Sequence, residues 1–435
     1  MSIGKVFYKS FTWRLVQFAS SGILNIYLAH QLGAELSGQF YGLSYLLVTA
    51  ANFLSLGFDV SLNYYVSRRE LPVRGTIPLI CLIAGLALVV SLTAGWYFFR
   101  ENPYPYFSYS RLLWYAALMV AGHLLVTLCG SVLTAGERNH VVSQLSALNN
   151  LAVLLVSGLL LRKFPATKAA DTIFLAYFLA AFLQGALMLA MLARWPRRDS
   201  PGPGKEPGRL PRMLSYAGSV YVTNFLFFAG RKLPVLLIPY WVSAQAVGNY
   251  IQAYKMVDYL AAFASILYFP VVAMTAGKSG DQARRRILLL VRISNTALVL
   301  GGGLLAVTGR FLFPWILGDT FRQVHGIFLI LLPGMLAAGS SPFLTAYFFG
   351  SGNLRINLTS AIIMMLGLLV TIWPLQQTWG IWGVAGSFSL SGMASFLYDI
   401  WMLRRLETFR WSEMLVLGRK DLAGLGSFFR NHFFP

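Results

Sequence analysis

The sequence predicts an all-α polytopic membrane protein of about twelve transmembrane helices, set as two pseudo-symmetric six-helix bundles around a central cavity. Three observations predict it: the composition, the recurrence of long apolar runs, and one polar interruption near the middle of the chain. Of the 435 residues 57% are hydrophobic and only 11% are charged, with a mean hydropathy of +0.63. A soluble chain carries about a quarter charged residues. A helix needs roughly 20 apolar residues to cross the hydrocarbon core, and runs of that length recur throughout. The short alternating strands of a membrane β-barrel are absent from the sequence.

The predicted spans fall at 11–31, 39–66, 75–98, 112–134, 141–161, 170–192, 213–240, 249–276, 287–308, 324–349, 357–375 and 384–402. The first runs on without a small-residue cleavage pattern, so no cleavable signal peptide is expected. Cys81 and Cys129 both lie within spans and suggest neither a disulfide framework nor a metal site. No cofactor, metal or catalytic residue is expected.

Between spans six and seven, the segment 194–212 reads RWPRRDSPGPGKEPGRLPR, with five prolines and three glycines. Such a composition cannot pack a core and reads as a flexible linker. It divides the chain into an N-terminal bundle over 1–193, the linker over 194–212, a C-terminal bundle over 213–402 and a tail over 403–435. In the tail, apolar residues alternate with Arg419, Lys420 and Arg430, the pattern of an amphipathic helix lying on a membrane surface.

Lysine and arginine total 35 against 15 acids, a formal charge of +20. In a soluble protein that would suggest nucleic acid, but here the excess follows the loops. With the N-terminus inside, 23 basic residues fall on the inner side and seven on the outer: Arg100, Arg111, Arg162, Lys163, Lys168, Arg310 and Arg322. The positive-inside rule therefore predicts both termini on the cytoplasmic side, and no nucleic-acid partner is expected.

A weak internal repeat supports the division into halves. LGAELSGQFYGLSY follows the first span and VSAQAVGNYIQAYK follows the seventh, and an offset of 210 residues sets Ala34 on Ala244 and Gly38 on Gly248. Six spans per half make the two repeats parallel, related by an axis along the membrane normal.

Polar residues within the spans are the candidates for function. On the first span Arg14, Gln17, Ser21 and Asn25 follow i, i+3, i+7 and i+11, one narrow stripe at about 100° per residue. On the seventh, Tyr221, Asn224, Phe228 and Arg231 follow i, i+3, i+7 and i+10, again one stripe, and the same offset sends Arg14 to Asn224 and Ser21 to Arg231. Asn52, Ser55, Asp59 and Asn63 line the second span, and Gln252, Lys255 and Asp258 the eighth. Spans 1, 2, 7 and 8 are thus expected to line a common cavity, with Arg14, Gln17, Asn25, Asp59, Asn224, Arg231, Lys232, Lys255 and Asp258 as substrate-binding candidates. Charge at membrane depth costs about 2.5–3.5 kcal/mol on insertion scales, so Arg14, Arg231, Lys232 and Lys255 are expected to face water, cargo or a partner. The bland readings run beside this one. Arg14 lies close enough to the boundary to snorkel, Lys255 and Asp258 can neutralise each other at i, i+3, and Arg292 and Asp399 are expected to reach the interface.

LGAELSGQFYGLSYLL with LGFDVSLNYYVSRRE, AVGNYIQAYKMVDYLAAFASILYFPVVA, LFPWILGDTFRQ, GSGNLRINL and GIWGVAGS cover most of the chain in order. They resemble the bacterial polysaccharide exporter branch of the MOP flippase superfamily, in particular O-antigen (Wzx-type) oligosaccharide flippases. None is a catalytic motif. The resemblance implies a MATE-like fold and alternating access that carries an undecaprenyl-pyrophosphate-linked oligosaccharide across the bacterial inner membrane for cell-surface or exopolysaccharide biosynthesis. It also implies basic cavity residues for the pyrophosphate, with membrane lipids, a polysaccharide polymerase and chain-length proteins as partners. Two alternatives share the fold: a drug/cation antiporter, which would want an acidic cavity, and a lipid II flippase, which usually carries two further spans. A membrane glycosyltransferase would need substantial outer loops, and these are short.

Overall fold

The computed structural model describes residues 3–101, 107–196, 209–275, 281–350 and 354–406. Residues 197–208 of the predicted linker and the tail beyond Leu406 lie outside them, whereas 209–212, expected in the linker, already belong to the seventh long helix. Every long element among the described residues is a helix. They are α1 (Ile3–Leu54), α2 (Phe58–Ser67), α3 (Ile77–Phe98), α4 (Tyr109–Ala135), α5 (Asn139–Lys163), α6 (Ala166–Ala193), α7 (Arg209–Leu237), α8 (Ala244–Thr275), α9 (Asp281–Leu317), α10 (Val324–Gly350), α11 (Leu354–Trp379) and α12 (Ile381–Leu406). The helices α3, α4, α5, α6, α9 and α11 contain stretches long and apolar enough to cross a membrane, and the bent pair α1–α2 adds a seventh candidate.

The first two predicted spans differ in detail from expectation. In place of a loop over 32–38, the chain stays helical through α1 except at Gly33 (φ 71°, ψ 175°), a backbone conformation that a side chain resists. The second span, expected to be continuous, is broken at residues 55–57, and the segments on either side are bent by 53°. Leu56 (φ 49°) and Gly57 (φ 73°) carry the break. The C-terminal hairpin is tighter than expected: of the connection predicted over 376–383, Gly380 (φ 56°) alone lies between α11 and α12.

The chain forms two compact units. One comprises Met1–Phe225, Val235–Gly248 and Ile316–Thr320; the other comprises Leu226–Pro234, Asn249–Trp315 and Phe321–Pro435. In the first, α4 is the central helix and touches α1, α2, α3, α5 and α6. Its apolar window is 67% buried, against 17% for α5, which presents leucines outward. Phe58, Leu62, Leu128, Leu133, Met188 and Leu192 form its core. Phe40 stacks on Phe174 at 4.4 Å, where aromatic area and geometry both favour burial. At the same end, Tyr115 donates to the backbone of Asp171 at 3.0 Å, and Arg111 pairs with the Asp171 carboxylate.

Two contacts inside this unit explain the quoted motifs. The kink at Gly33 starts a new helical segment, whose Ala34 N–H is left without an intrahelical acceptor. Thr320, from the GDTF turn, accepts it at 3.1 Å. Four residues on, Gly38 meets the first turn of α8 at Gly248 with almost no space between the backbones. The offset of 210 residues paired the same four positions.

In the second unit Val291, Phe343, Leu344, Phe348, Ile400 and Leu403 join α9, α10 and α12. The side chain of Asn249 accepts the Gln323 N–H at 3.1 Å, and Asn357 donates to the Thr345 carbonyl at 3.1 Å. The motifs AVGNYIQAYK, LFPWILGDTFRQ and GSGNLRINL thus supply structural hydrogen bonds at helix ends. Exposed aromatic rings also gather at helix ends: Trp96 and Tyr97 on α3, Trp114 on α4, Trp315 on α9, Trp379 on α11 and Trp382 on α12.

Candidate functional site

In the second unit the cationic candidates come together on α7 and α8. Lys232 places its Nζ 3.2 Å from Asp258 Oδ2 and 3.4 Å from the Tyr254 hydroxyl, and over the Tyr254 ring at 4.5 Å from its centroid. Tyr254 and Tyr250 are buried one turn apart with nearly parallel rings, and Phe388 meets Tyr254 edge-on. That wall fixes where the ammonium group can sit. Lys232 is 17% exposed, whereas Asp258 is 48% exposed, so the cation is the deeper partner. Asp258 pairs with Lys232 on the neighbouring helix, in addition to its electrostatic coupling to Lys255 at i, i+3. Lys255 is half-buried and lies within electrostatic range of both. Arg231 is half-buried, and its Nε has no hydrogen-bond partner among the described residues. Arg231 lies within electrostatic range of Tyr254, so basic side chains outnumber acids three to one among the described residues gathered here.

The first unit holds the other candidates. Arg14 and Gln17 are half-buried and Asn25 is 5% exposed. Beside them Ser20 donates to the Gln17 carbonyl at 2.9 Å and accepts from Asn150 of α5 at 3.2 Å. Asp59 sits in the first turn of α2, just past the break, on a cavity of about 350 Å³. The side chain of Asn224 lies outside the described residues.

The overall architecture has counterparts among solved structures. The lipid II flippase MurJ, in an inward closed conformation, matches with a TM-score of 0.65 at 12% identity, over 99% of this chain and 93% of that one. A Vibrio cholerae MATE transporter gives 0.57 at 16% identity, over 94% and 98%. A MOP superfamily transporter from Pyrococcus furiosus, described as having a binding pocket of reverse polarity, gives 0.55 at 14%, over 93% and 97%. These structural neighbours are MOP superfamily transporters. No protein-family model matches the sequence, and no curated protein is similar to it in sequence. At these identities the likeness establishes the MATE/MurJ-like helical fold.

Within that fold, one acid departs from expectation. Asp399, expected to reach the interface, is 1% exposed and enclosed beside Ser360 and Ser395, whose hydroxyls lie 2.8 Å apart. Its Oδ1 has no partner among the described residues. The expectation failed because α12 continues to Leu406, well past the end of the apolar run, and α11 covers the acid. Sequence reasoning also passed over Tyr254, the ring under Lys232, and Tyr64, Ser67 and Ser131 beside Asp59. Tyr254 lies one residue before Lys255 and reads as core. Ser131 comes from α4, with no local signal tying it to α2.

Proposed function

We propose that the protein is a flippase that carries an undecaprenyl-pyrophosphate-linked oligosaccharide from the cytoplasmic to the outer leaflet by alternating access, without making or breaking a bond. Its place would be the bacterial inner membrane, with both termini cytoplasmic, in cell-surface or exopolysaccharide biosynthesis. The observation that carries this reading is the cluster of Arg231, Lys232 and Lys255 with the single carboxylate of Asp258. Basic side chains that outnumber acids around Asp258 suit an anionic cargo group, and arginine suits the oxygens of a pyrophosphate. A lipid II flippase among the structural neighbours supports the cargo class, and the 23-to-seven basic asymmetry supports the orientation.

The test is charge sign at Arg231. In export by complementation at matched expression, Arg231→Lys should retain part of the function, Arg231→Ala less, and Arg231→Glu least, because repulsion is added to lost attraction. Glutamate performing as well as alanine would overturn the anionic assignment. A drug/cation antiporter is the second reading, favoured by the exposure of Asp258 and by the MATE neighbours. It predicts the opposite order, with glutamate tolerated.

A further inference from the structure

The cavity at the break between α1 and α2 is lined by Asp59, Val60, Asn63, Tyr64, Ser67 and Ser131, all within the first unit. At about 350 Å³ it lies at the small end of the range of about 300–1,000 Å³ typical of ligand pockets. Once the second span bends at residues 55–57, α2 presents Asp59, Asn63 and Ser67, spaced i, i+4 and i+8, along one face, and α4 supplies Ser131 opposite them.

The hydrogen-bond commitments of these groups define what the cavity can take. Ser67 donates its hydroxyl proton to the Tyr64 carbonyl at 2.9 Å, and Ser131 donates to the Leu128 carbonyl at 2.9 Å. Both hydroxyls therefore meet a ligand as acceptors. Asp59, when ionised, can only accept. Asn63 donates to the Ser131 carbonyl at 3.0 Å, which fixes its amide plane and leaves its side-chain oxygen as a further acceptor. The Tyr64 hydroxyl accepts from Arg68, whose guanidinium lies 5.1 Å from the Tyr64 ring centroid. The wall is thus rich in acceptors and carries one carboxylate. It disfavours an anion and fits a ligand that offers many donors.

We propose that this cavity is a saccharide subsite, which takes one neutral or N-acetylated sugar ring of the cargo through its hydroxyl donors. The assignment rests on the flippase reading above and adds to it the place where sugar identity is read. Vicinal hydroxyls can both donate to the Asp59 carboxylate, the remaining hydroxyls to Asn63, Ser67 and Ser131, and the Tyr64 ring supplies an apolar face for ring C–H groups. A sugar acid is disfavoured here, because its carboxylate would meet Asp59, while Arg68 on the Tyr64 hydroxyl is already paired with Glu70 at 3.3 Å.

Two measurements on the purified full chain test it. In phosphatidylethanolamine–phosphatidylglycerol vesicles, flipping is compared for bare undecaprenyl pyrophosphate, undecaprenyl-pyrophosphoryl-N-acetylglucosamine and undecaprenyl-pyrophosphoryl-galactose. Asn63→Leu and, as a milder change near the exposed end of α2, Ser67→Ala should lower the ratio of sugar-bearing to bare carrier flipped, by about tenfold for Asn63→Leu. An unchanged ratio in both variants overturns the subsite and leaves the flippase reading standing. Independently, saturation-transfer NMR on detergent-solubilised protein with free N-acetylglucosamine, galactose and glucuronate should show ring-proton signal for the two neutral sugars, lost in Asn63→Leu, and none for glucuronate. If the wild type moves none of the three lipids, the flippase reading falls, and the NMR result alone decides the subsite. Absence of sugar signal, or its replacement by sodium or tetraphenylphosphonium binding that Asp59→Asn abolishes, overturns the subsite.

Discussion

Gly38 and Gly248 face each other across a crossing that repeats itself under the 210-residue offset. A methyl group built on Gly38 would lie 1.9 Å from the Ala244 carbonyl oxygen, and one built on Gly248 would lie 2.0 Å from the Ala34 carbonyl oxygen. Each small-xxx-small pair thus opposes its own repeat equivalent, as an isologous contact would within a dimer. Alanine at either position must push the backbones apart, at about 1–3 kcal/mol for an overpacked site. Thermal unfolding in detergent should show similar losses for Gly38→Ala and Gly248→Ala, and a double variant less damaged than their sum. Additive losses would mean the two glycines do not share one crossing.

Thr320 caps the helical segment that begins after Gly33. Thr320→Val keeps the shape and removes the acceptor, so Tm should fall by an amount corresponding to about 1 kcal/mol, whereas Thr320→Ser should hold near the wild type. Equal behaviour of valine and serine would remove the Ala34 N–H from the account.

The Lys232–Asp258 pair offers a test of cargo charge that is separate from Arg231. Asp258→Asn removes the competitor for the ammonium group while leaving a similar shape, so export of an anionic head group should persist. Lys232→Met should reduce it more than fivefold, on the scale of about 1 kcal/mol or more for a charge-assisted contact. A reversed pattern, with Asp258→Asn inactive and Lys232→Met active, would favour a cationic cargo.

Asp399 predicts a stability effect without a transport effect. A carboxyl group enclosed beside two serine hydroxyls, with one oxygen unpaired, is an expensive occupant of a helix interface. Asp399→Asn should match or exceed the wild-type Tm with export retained. Asp399→Lys should fail to accumulate, since no acid faces that point from α11 among the described residues. Loss of export in a stable Asp399→Asn protein would assign the acid a functional role.

How much of this was legible in the sequence depended on the range of the interactions. Helix-long apolar runs reported α3 to α6 and α9 to α12 directly, because membrane depth sets their length. The Ala34/Gly38 and Ala244/Gly248 match was also legible, because the repeat preserved the spacing on which the crossing depends. The break at 55–57 was hidden: Leu-Ser-Leu-Gly-Phe continues an apolar run, and only the backbone reveals that Leu56 and Gly57 have left the helix. The Thr320–Ala34 bond spans 286 positions, and no local pattern announces it. Among the site candidates, Lys232 and Asp258 were found as residues but not as a pair, since i, i+3 spacing reports only partners on the same helix. The cavity beside Asp59 needed Ser131, which only the packing of α2 against α4 supplies.

The rings at the helix ends bear on the bilayer itself. Trp96 and Trp114 in the first unit, and Trp315, Trp379 and Trp382 in the second, stand at helix ends that the proposed orientation would turn outward, and Trp401 stands with Arg405 at an opposite end. Indole rings settle among head groups and resist both deeper burial and withdrawal. In that orientation each unit would be held by indoles at the ends of its helices, with little freedom to ride higher or lower. A membrane whose thickness departs from that spacing must thin or swell around it, which makes lipid length a variable to hold fixed in every vesicle measurement above.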